Sequence, residues 1–258
     1  MYYPRYKKRD KVPILSGEEI NNIAERFLLD FNRNLLDKPQ AIAVESFLEF
    51  YLNVIMDFND LTCDERILGM TVFNDTNKVP VYDSLSNAAK YISAKAGTVI
   101  IDNSLLTNGQ EHRLRFTLGH EAGHWIFHQD YFGYFPGQLS LFENDIPFIR
   151  CREVNRNYLY KRKDFWDDEK WLEWQADKFS ASILMPESLM KNIMSDYQNI
   201  SRDDQKIVDA VERVSDVFEV SKQASYYRLC DLGYISTRNK SDVSRQLSLF
   251  DYVDNNKG

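Results

Sequence analysis

His120-Glu121-Ala122-Gly123-His124 sets two imidazoles four residues apart, with a carboxylate directly after the first. On a helix, residues four apart share a face, so both rings can reach one metal ion and Glu121 lies beside it. Neutral imidazole is a good zinc ligand, and a carboxylate close to the metal can take a proton from bound water. The chain has 4 histidines, and two of them fill this pattern. Arg113-Leu114-Arg115-Phe116-Thr117-Leu118 leads in, and Trp125-Ile126-Phe127 continues an apolar face, which predicts a buried helix from about Glu111 to Gln129. The pattern is H-E-x-x-H, the metal-binding helix of zinc peptidases.

A catalytic zinc site uses three protein ligands and keeps a fourth position for water. No HxxGxxH continuation follows His124, which excludes the three-histidine metzincin arrangement. The third ligand must come from elsewhere. The run from Trp171 to Ala181 has apolar helical character through Trp171, Trp174 and Phe179, continued by Leu184. Glu173 and Asp177 are four apart on that helix and share a face. Glu173 is the candidate third ligand, with Asp168, Glu169 and Glu187 as competitors. Asp177 is the candidate to accept the N–H of a ligand histidine. A solvated acidic face would have the same pattern.

Three blocks resemble the ImmA/IrrE family of metallopeptidases. They are G-H-E-A-G-H-W-I-F-H at 119–128, E-W-Q-A-D-K-F-S-A-S-I-L-M-P at 173–186, and V-S-D-V-F-E-V-S-K-Q-A-S-Y-Y-R-L-C-D-L-G-Y-I at 214–235. The resemblance covers roughly residues 40–235 and includes the strand at 98–102 that feeds the first block. It implies a gluzincin-like site in which His120, His124 and Glu173 bind one Zn2+, with another divalent ion as the alternative, and Glu121 is the catalytic base. It also implies an endopeptidase that cleaves a specific cytoplasmic protein, such as a helix-turn-helix transcriptional repressor. The stretch between His124 and Glu173 is longer than in the family, so residues 131–165 read as an insertion to which nothing carries over.

Other residues near the motif are candidates for smaller roles. His128 continues the 120/124 face by one turn and can reach substrate or a ligand's outer partner. Tyr131 and Tyr134 follow the helix and, with His128, are candidates for contact with substrate or with the oxyanion of peptide hydrolysis. His112 is assigned no role. Gln138-Leu139-Ser140-Leu141-Phe142 recurs unchanged as Gln246-Leu247-Ser248-Leu249-Phe250. Both copies resemble the pentapeptide by which bacterial replication and repair proteins dock on the sliding clamp. The second copy lies in a polar tail, which makes Gln246, Leu247, Leu249 and Phe250 the candidate docking residues and chance recurrence the competing explanation. A non-catalytic or clamp-associated regulatory adaptor that keeps the metal-site scaffold is the alternative to a peptidase, and an intact Glu121 argues against it.

The elements that must position these residues read as α+β: a small antiparallel or mixed sheet packed on a helical metal-binding core, with a C-terminal helical pair. Ser16-Gly17-Glu18-Glu19 is a capping-box signature, followed by apolar residues at helical spacing from Ile20 to Leu35, with Pro39 ending the element. Ala41–Val44 is expected as a short strand and Phe47–Ile55 as a second helix. Leu68–Phe73 and Val79–Tyr82 are expected as a hairpin, with Pro80 marking an edge strand that a substrate could pair with. Ala88–Lys95 is expected as a helix, Thr98–Ile101 as a strand, and residues 131–165 show no clear period. Pro186-Glu187 opens a further helix, followed by helices at about 203–218 and 221–232. The organisation is an N-terminal helical segment (1–38), a metallopeptidase domain (39–202), the helical pair (203–235) and a flexible tail (236–258).

Composition narrows the classes. The chain has 258 residues, 43% hydrophobic and 14% aromatic, enough for a sizeable core. It contains no apolar run of about 18 residues, so no membrane span is expected. Residues 1–12 are rich in Tyr, Lys and Arg and lack the apolar stretch of a secretory signal. The 3 cysteines, Cys63, Cys151 and Cys230, are far apart, as suits free thiols in a reducing, cytoplasmic setting. A net charge of −7 disfavours direct nucleic-acid binding. The pair at 205–235 could be a helix-turn-helix reader, but its second helix carries only Lys222 and Arg228, so packing is the preferred role.

Overall fold

The computed structural model describes residues 1–133, 148–152, 166–197, 200 and 203–236. An antiparallel hairpin unforeseen from the sequence opens the chain: β1 (Lys7–Arg9) and β2 (Val12–Ile14), turned by Asp10 and Lys11 with φ of 49° and 71°. Ser16 then caps helix α1 (Gly17–Phe31). Its hydroxyl accepts from the Glu19 amide, and the Glu19 carboxylate accepts from the Ser16 amide at 2.7 Å, the reciprocal pair that the signature predicts. Ile20, Ile23, Ala24, Phe27 and Leu28 are the buried stripe. The helix stops short of Leu35, which lies in a separate 3-10 turn, Arg33–Leu36, capped by the Asn32 side chain.

The next stretch departs from expectation. Residues 41–43 have no regular structure and Val44–Ser46 is a helical turn, α2, not a strand. A π-turn over Phe47–Tyr51 closes with the Leu52 amide donating to the Phe47 carbonyl. Asn53 takes a φ of 53° and reverses the chain, so Ile55 begins strand β3 (Ile55–Asn59) and does not end a helix.

Strand β3, strand β4 (Ile67–Val72), strand β7 (Thr98–Asp102) and strand β8 (Phe148–Arg152) form a mixed sheet in the order β3-β7-β4-β8. β3 runs parallel to β7, and β4 runs antiparallel to both β7 and β8. β5 (Thr76–Asp83) and β6 (Ala88–Ala94) form a separate antiparallel pair with Pro80 opposite Tyr91. Three expectations are corrected here. The strand at 67–72 does not form a hairpin with 79–82, residues 88–94 are strand and not helix, and the stretch 131–165 contains β8. The true hairpin turn lies after Asp83. That carboxylate accepts from the Leu85 amide and the Ser86 hydroxyl, and Asn87 has a φ of 52°.

Alternation sorts the two faces of the sheet. Val99 and Ile101 of β7 join the main core, whereas Ile100 packs with Met70, Val72, Val79 and Val81 in a smaller cluster under β5. Gly69 and Thr71, on the opposite side of β4, face helix α3 (Glu111–Phe127). A single turn, α4 (Gln129–Phe132), follows it. Helix α5 (Asp168–Leu184) lies between α3 and α1. Phe179 of α5 meets Phe27 and Phe127 edge to face at centroid distances of 6.0 and 5.4 Å.

Helices α6 (Glu187–Met194), α7 (Asp204–Phe218) and α8 (Lys222–Asp231) complete the same core with Leu189, Phe218, Tyr226 and Leu229. Both basic residues of α8 are engaged within the chain. Arg228, 1% exposed, donates to the Met185 carbonyl and the Asn21 side chain, and Lys222 pairs with Glu212 at 3.2 Å. The architecture is α+β, and among the described residues no helix is long and apolar enough to cross a membrane.

Candidate metal centre

Close packing of α3 on α5 rests on small residues. A Cβ on Gly123 would stand 2.9 Å from the Ala176 Cα, and one on Gly119 would stand 3.2 Å from the Ser180 Cα. Glycines at 119 and 123, one turn apart, therefore let the two backbones approach. On the histidine-bearing face the same approach brings α5's acidic residues within reach of the rings. The His120 Nε2 and His124 Nε2 lie 2.9 Å apart, and each is 3.4 Å from a carboxylate oxygen of Glu173. Among the described residues this is a group whose ligand atoms all lie within 4.8 Å of one another and could hold a metal ion. Asp168, Glu169 and Glu187 are not part of it. Asp168 and Glu169 sit in the first turn of α5, and Glu187 bonds the Asn21 amide at 2.9 Å.

The chemistry of the donor set fits a divalent cation. Asp177 Oδ1 lies 2.9 Å from His120 Nδ1, and a carboxylate can only accept, so that nitrogen carries the proton. The lone pair of His120 is then on Nε2, turned towards His124 and Glu173. With the His124 proton on Nδ1, where it faces His128 Nδ1 at 2.8 Å, two ring nitrogens and a carboxylate converge as acceptors, an arrangement that a cation or a proton at its centre satisfies. Ligands about 2.0–2.1 Å from a tetrahedral zinc ion stand roughly 3.4 Å apart, as His120 Nε2 does from Glu173 Oε2 and His124 Nε2 from Glu173 Oε1, while the two ring nitrogens stand closer, at 2.9 Å. Both rings are at most 1% exposed, while Glu173 keeps 24% of its side chain accessible, so the group opens outwards on the Glu173 side. Burial alone would raise the Glu173 pKa, but when a proton takes the place of an ion between the rings, bonds from His120 and His124 outweigh that and hold the carboxyl well below the usual range. Burial lowers the His124 pKa, which keeps its ring neutral and fit to be a ligand.

Glu121 is wholly buried, and burial pushes its pKa up to about 7 against the opposing effects of His120 and Thr71. Its Oε2 accepts from the Thr71 hydroxyl. Its Oε1 has no hydrogen-bond partner among the described residues, an acceptor that calls for a donor such as water. β4 touches it from the other side: a Cβ on Gly69 would stand 2.4 Å from Oε1, so residue 69 must lack a side chain. Thr71 and Gly69 were not singled out from the sequence. Their only signal was a Gly and a Thr alternating with apolar residues in a buried strand.

The remaining candidates are distributed unevenly. His128 is buried with its Nδ1 2.8 Å from His124 Nδ1, so it lies behind a candidate ligand and not on the Glu173 side. Tyr131 is half-buried in α4 beside Phe132, its hydroxyl pKa raised by burial and by Asp168, Glu169 and Asp167. No hydrogen bond among the described residues joins it to His120, His124 or Glu173. His112 is exposed at the start of α3. Val79–Tyr82 belongs to the β5–β6 pair, and the strand beside Glu121 is β4. Tyr134, the pentapeptide at 138–142, and Gln246, Leu247, Leu249 and Phe250 lie outside the described residues.

No protein-family model matches the chain, and no curated protein matches it either.

Proposed function

We propose that the chain is a zinc-dependent metallo-endopeptidase of the ImmA/IrrE kind, acting on a specific cytoplasmic protein such as a helix-turn-helix transcriptional repressor. One observation carries the reading. Three acceptors, His120 Nε2, His124 Nε2 and a Glu173 oxygen, converge next to a buried glutamate that has one oxygen without a partner among the described residues. His120, His124 and Glu173 would hold the ion. A divalent cation there supplies a Lewis acid that polarises a peptide carbonyl and acidifies water.

The chain's own residues do the rest. Glu121 accepts a proton from the attacking water through Oε1 and delivers it to the departing amide nitrogen, while Thr71 holds Oε2 and fixes the carboxylate. Asp177 holds His120 in the tautomer that presents Nε2. The substrate class comes from the sequence resemblance. Narrow specificity is supported by β8, which occupies the outer edge of β4, the strand beside Glu121, where an extended substrate would otherwise pair.

Incubation of the zinc-loaded chain with casein and with a helix-turn-helix repressor encoded beside its gene tests this. The expected result is cleavage of the repressor at one or a few bonds, casein left intact, and no cleavage by Glu121→Gln. Rapid casein digestion with the repressor intact would overturn the specificity. Cleavage undiminished in Glu121→Gln would overturn the mechanism.

A further inference from the structure

Gln175 lies on α5 between the metal group and the amino-terminal hairpin. Its amide Nε2 is 2.7 Å from the Pro13 carbonyl of β2, and its Oε1 is 3.0 Å from His128 Nε2. A backbone carbonyl only accepts, so the amide nitrogen must face Pro13 and the amide oxygen must face His128. His128 therefore donates from Nε2. All of its ring is buried, an environment that favours the neutral form, which leaves a lone pair on Nδ1. That lone pair faces His124 Nδ1 at 2.8 Å, so His124 must donate there. The proton of His124 is thereby fixed on Nδ1, and its Nε2 lone pair is turned towards His120 and Glu173.

We propose that the relay Pro13 carbonyl–Gln175–His128–His124 sets the tautomer and ring orientation of the second histidine ligand, making Gln175 and His128 positioning residues and the amino-terminal hairpin part of the metal centre. The two ligand histidines are then held by different devices. His120 leans on a carboxylate, whereas His124 leans on a neutral chain of three bonds that ends on a strand more than 100 residues earlier, Pro13 and Gln175 being separated by 162 positions. A neutral relay adds no negative charge behind the ligand, yet it is directional. Reversal at any link would point an N–H of His124 at the ion.

The inference rests on the proposed metal site, and its test separates the two. Zinc is loaded into full-length wild type, Gln175→Leu, His128→Leu, His128→Gln and Ser180→Ala, and its release to excess chelator is timed. Ser180 bonds the Phe116 carbonyl at the same helix interface but lies off the relay, so it controls for loosened packing. Gln175→Leu and His128→Leu should release zinc roughly 10–100-fold faster than wild type. His128→Gln, whose amide oxygen can accept from His124, should recover part of the loss, and Ser180→Ala should stay close to wild type. Zinc should also slow hydrogen exchange of the Lys7–Ile14 amides in wild type and not in Gln175→Leu. Release within about twofold of wild type for both leucine variants, or equal acceleration by Ser180→Ala, would overturn the relay while leaving the metal site standing. A wild-type chain that takes up no divalent ion would overturn the metal site, and the relay with it.

Discussion

Asp177 reaches back one helical turn beyond Glu173 to place its Oδ1 2.9 Å from His120 Nδ1. One face of α5 thus supplies both a candidate ligand and the group that orients another ligand. Removing the carboxylate leaves the ring free to turn or to change tautomer. Asp177→Ala should weaken zinc affinity by roughly 10–100-fold, read by competition with a chromophoric chelator. Unchanged affinity would take Asp177 out of the site.

The approach of α3 to α5 has no slack at Gly123, where an added Cβ would stand 2.9 Å from the Ala176 Cα. Gly123→Ala must push two backbones apart. It should destabilise the chain by about 1–3 kcal/mol in denaturant titration and lower metal occupancy, because Glu173 moves away with α5. An alanine variant of wild-type stability and full occupancy would show that the helices can part without cost.

The Thr71 hydroxyl bonds Glu121 and, among the described residues, makes no hydrogen bond to the three candidate ligands. Thr71→Val keeps the shape and removes the hydroxyl that Glu121 Oε2 accepts from. Metal content should remain that of wild type while kcat falls about tenfold or more, since a hydrogen bond to a charged group is worth about 1.5–3 kcal/mol. Equal loss of metal and of kcat would place Thr71 in the scaffold and not beside the base.

Glu187 offers a test by pH, away from the metal group. Its bonds to Lys191 and to the Asn21 amide hold its carboxyl below the usual range. A depressed carboxylate contributes stability above its unfolded pKa and loses it as pH falls through the folded value. Glu187→Gln should therefore be less stable than wild type at pH 7, by at most about 1 kcal/mol for so accessible a pair, and the gap should close in acid. A gap that widens on acidification would contradict the assignment.

Legibility of the chain followed the range of the forces involved. The α3 motif, the Ser16 capping box, α6 and the α7–α8 pair are set by spacings of three to four residues and were readable from the sequence. Spacing left Glu173 in competition with Asp168, Glu169 and Glu187 as partner of the two histidines, and only the resemblance singled it out; the structure groups Glu173 with His120 and His124. Strand partners were not readable. β4 pairs with β7 and β8 across long intervals, and nothing local distinguishes that from a hairpin with 79–82. Ala88–Ala94, with its two leading alanines, has weak strand propensity of its own and becomes a strand by pairing with β5. The outer supports were hidden for the same reason. Thr71 and Pro13 reach the site from residues 50 and 162 positions away from the side chains they hold.

Elemental analysis after purification and zinc loading gives the metal content per chain. One ion per chain is expected for wild type and for Glu121→Gln, and none for Glu173→Ala or His120→Ala, because Glu121→Gln removes only the base and the others remove ligands. A wild-type chain without an ion, or a Glu173→Ala chain that keeps its ion while Glu121→Gln loses it, would contradict that expectation.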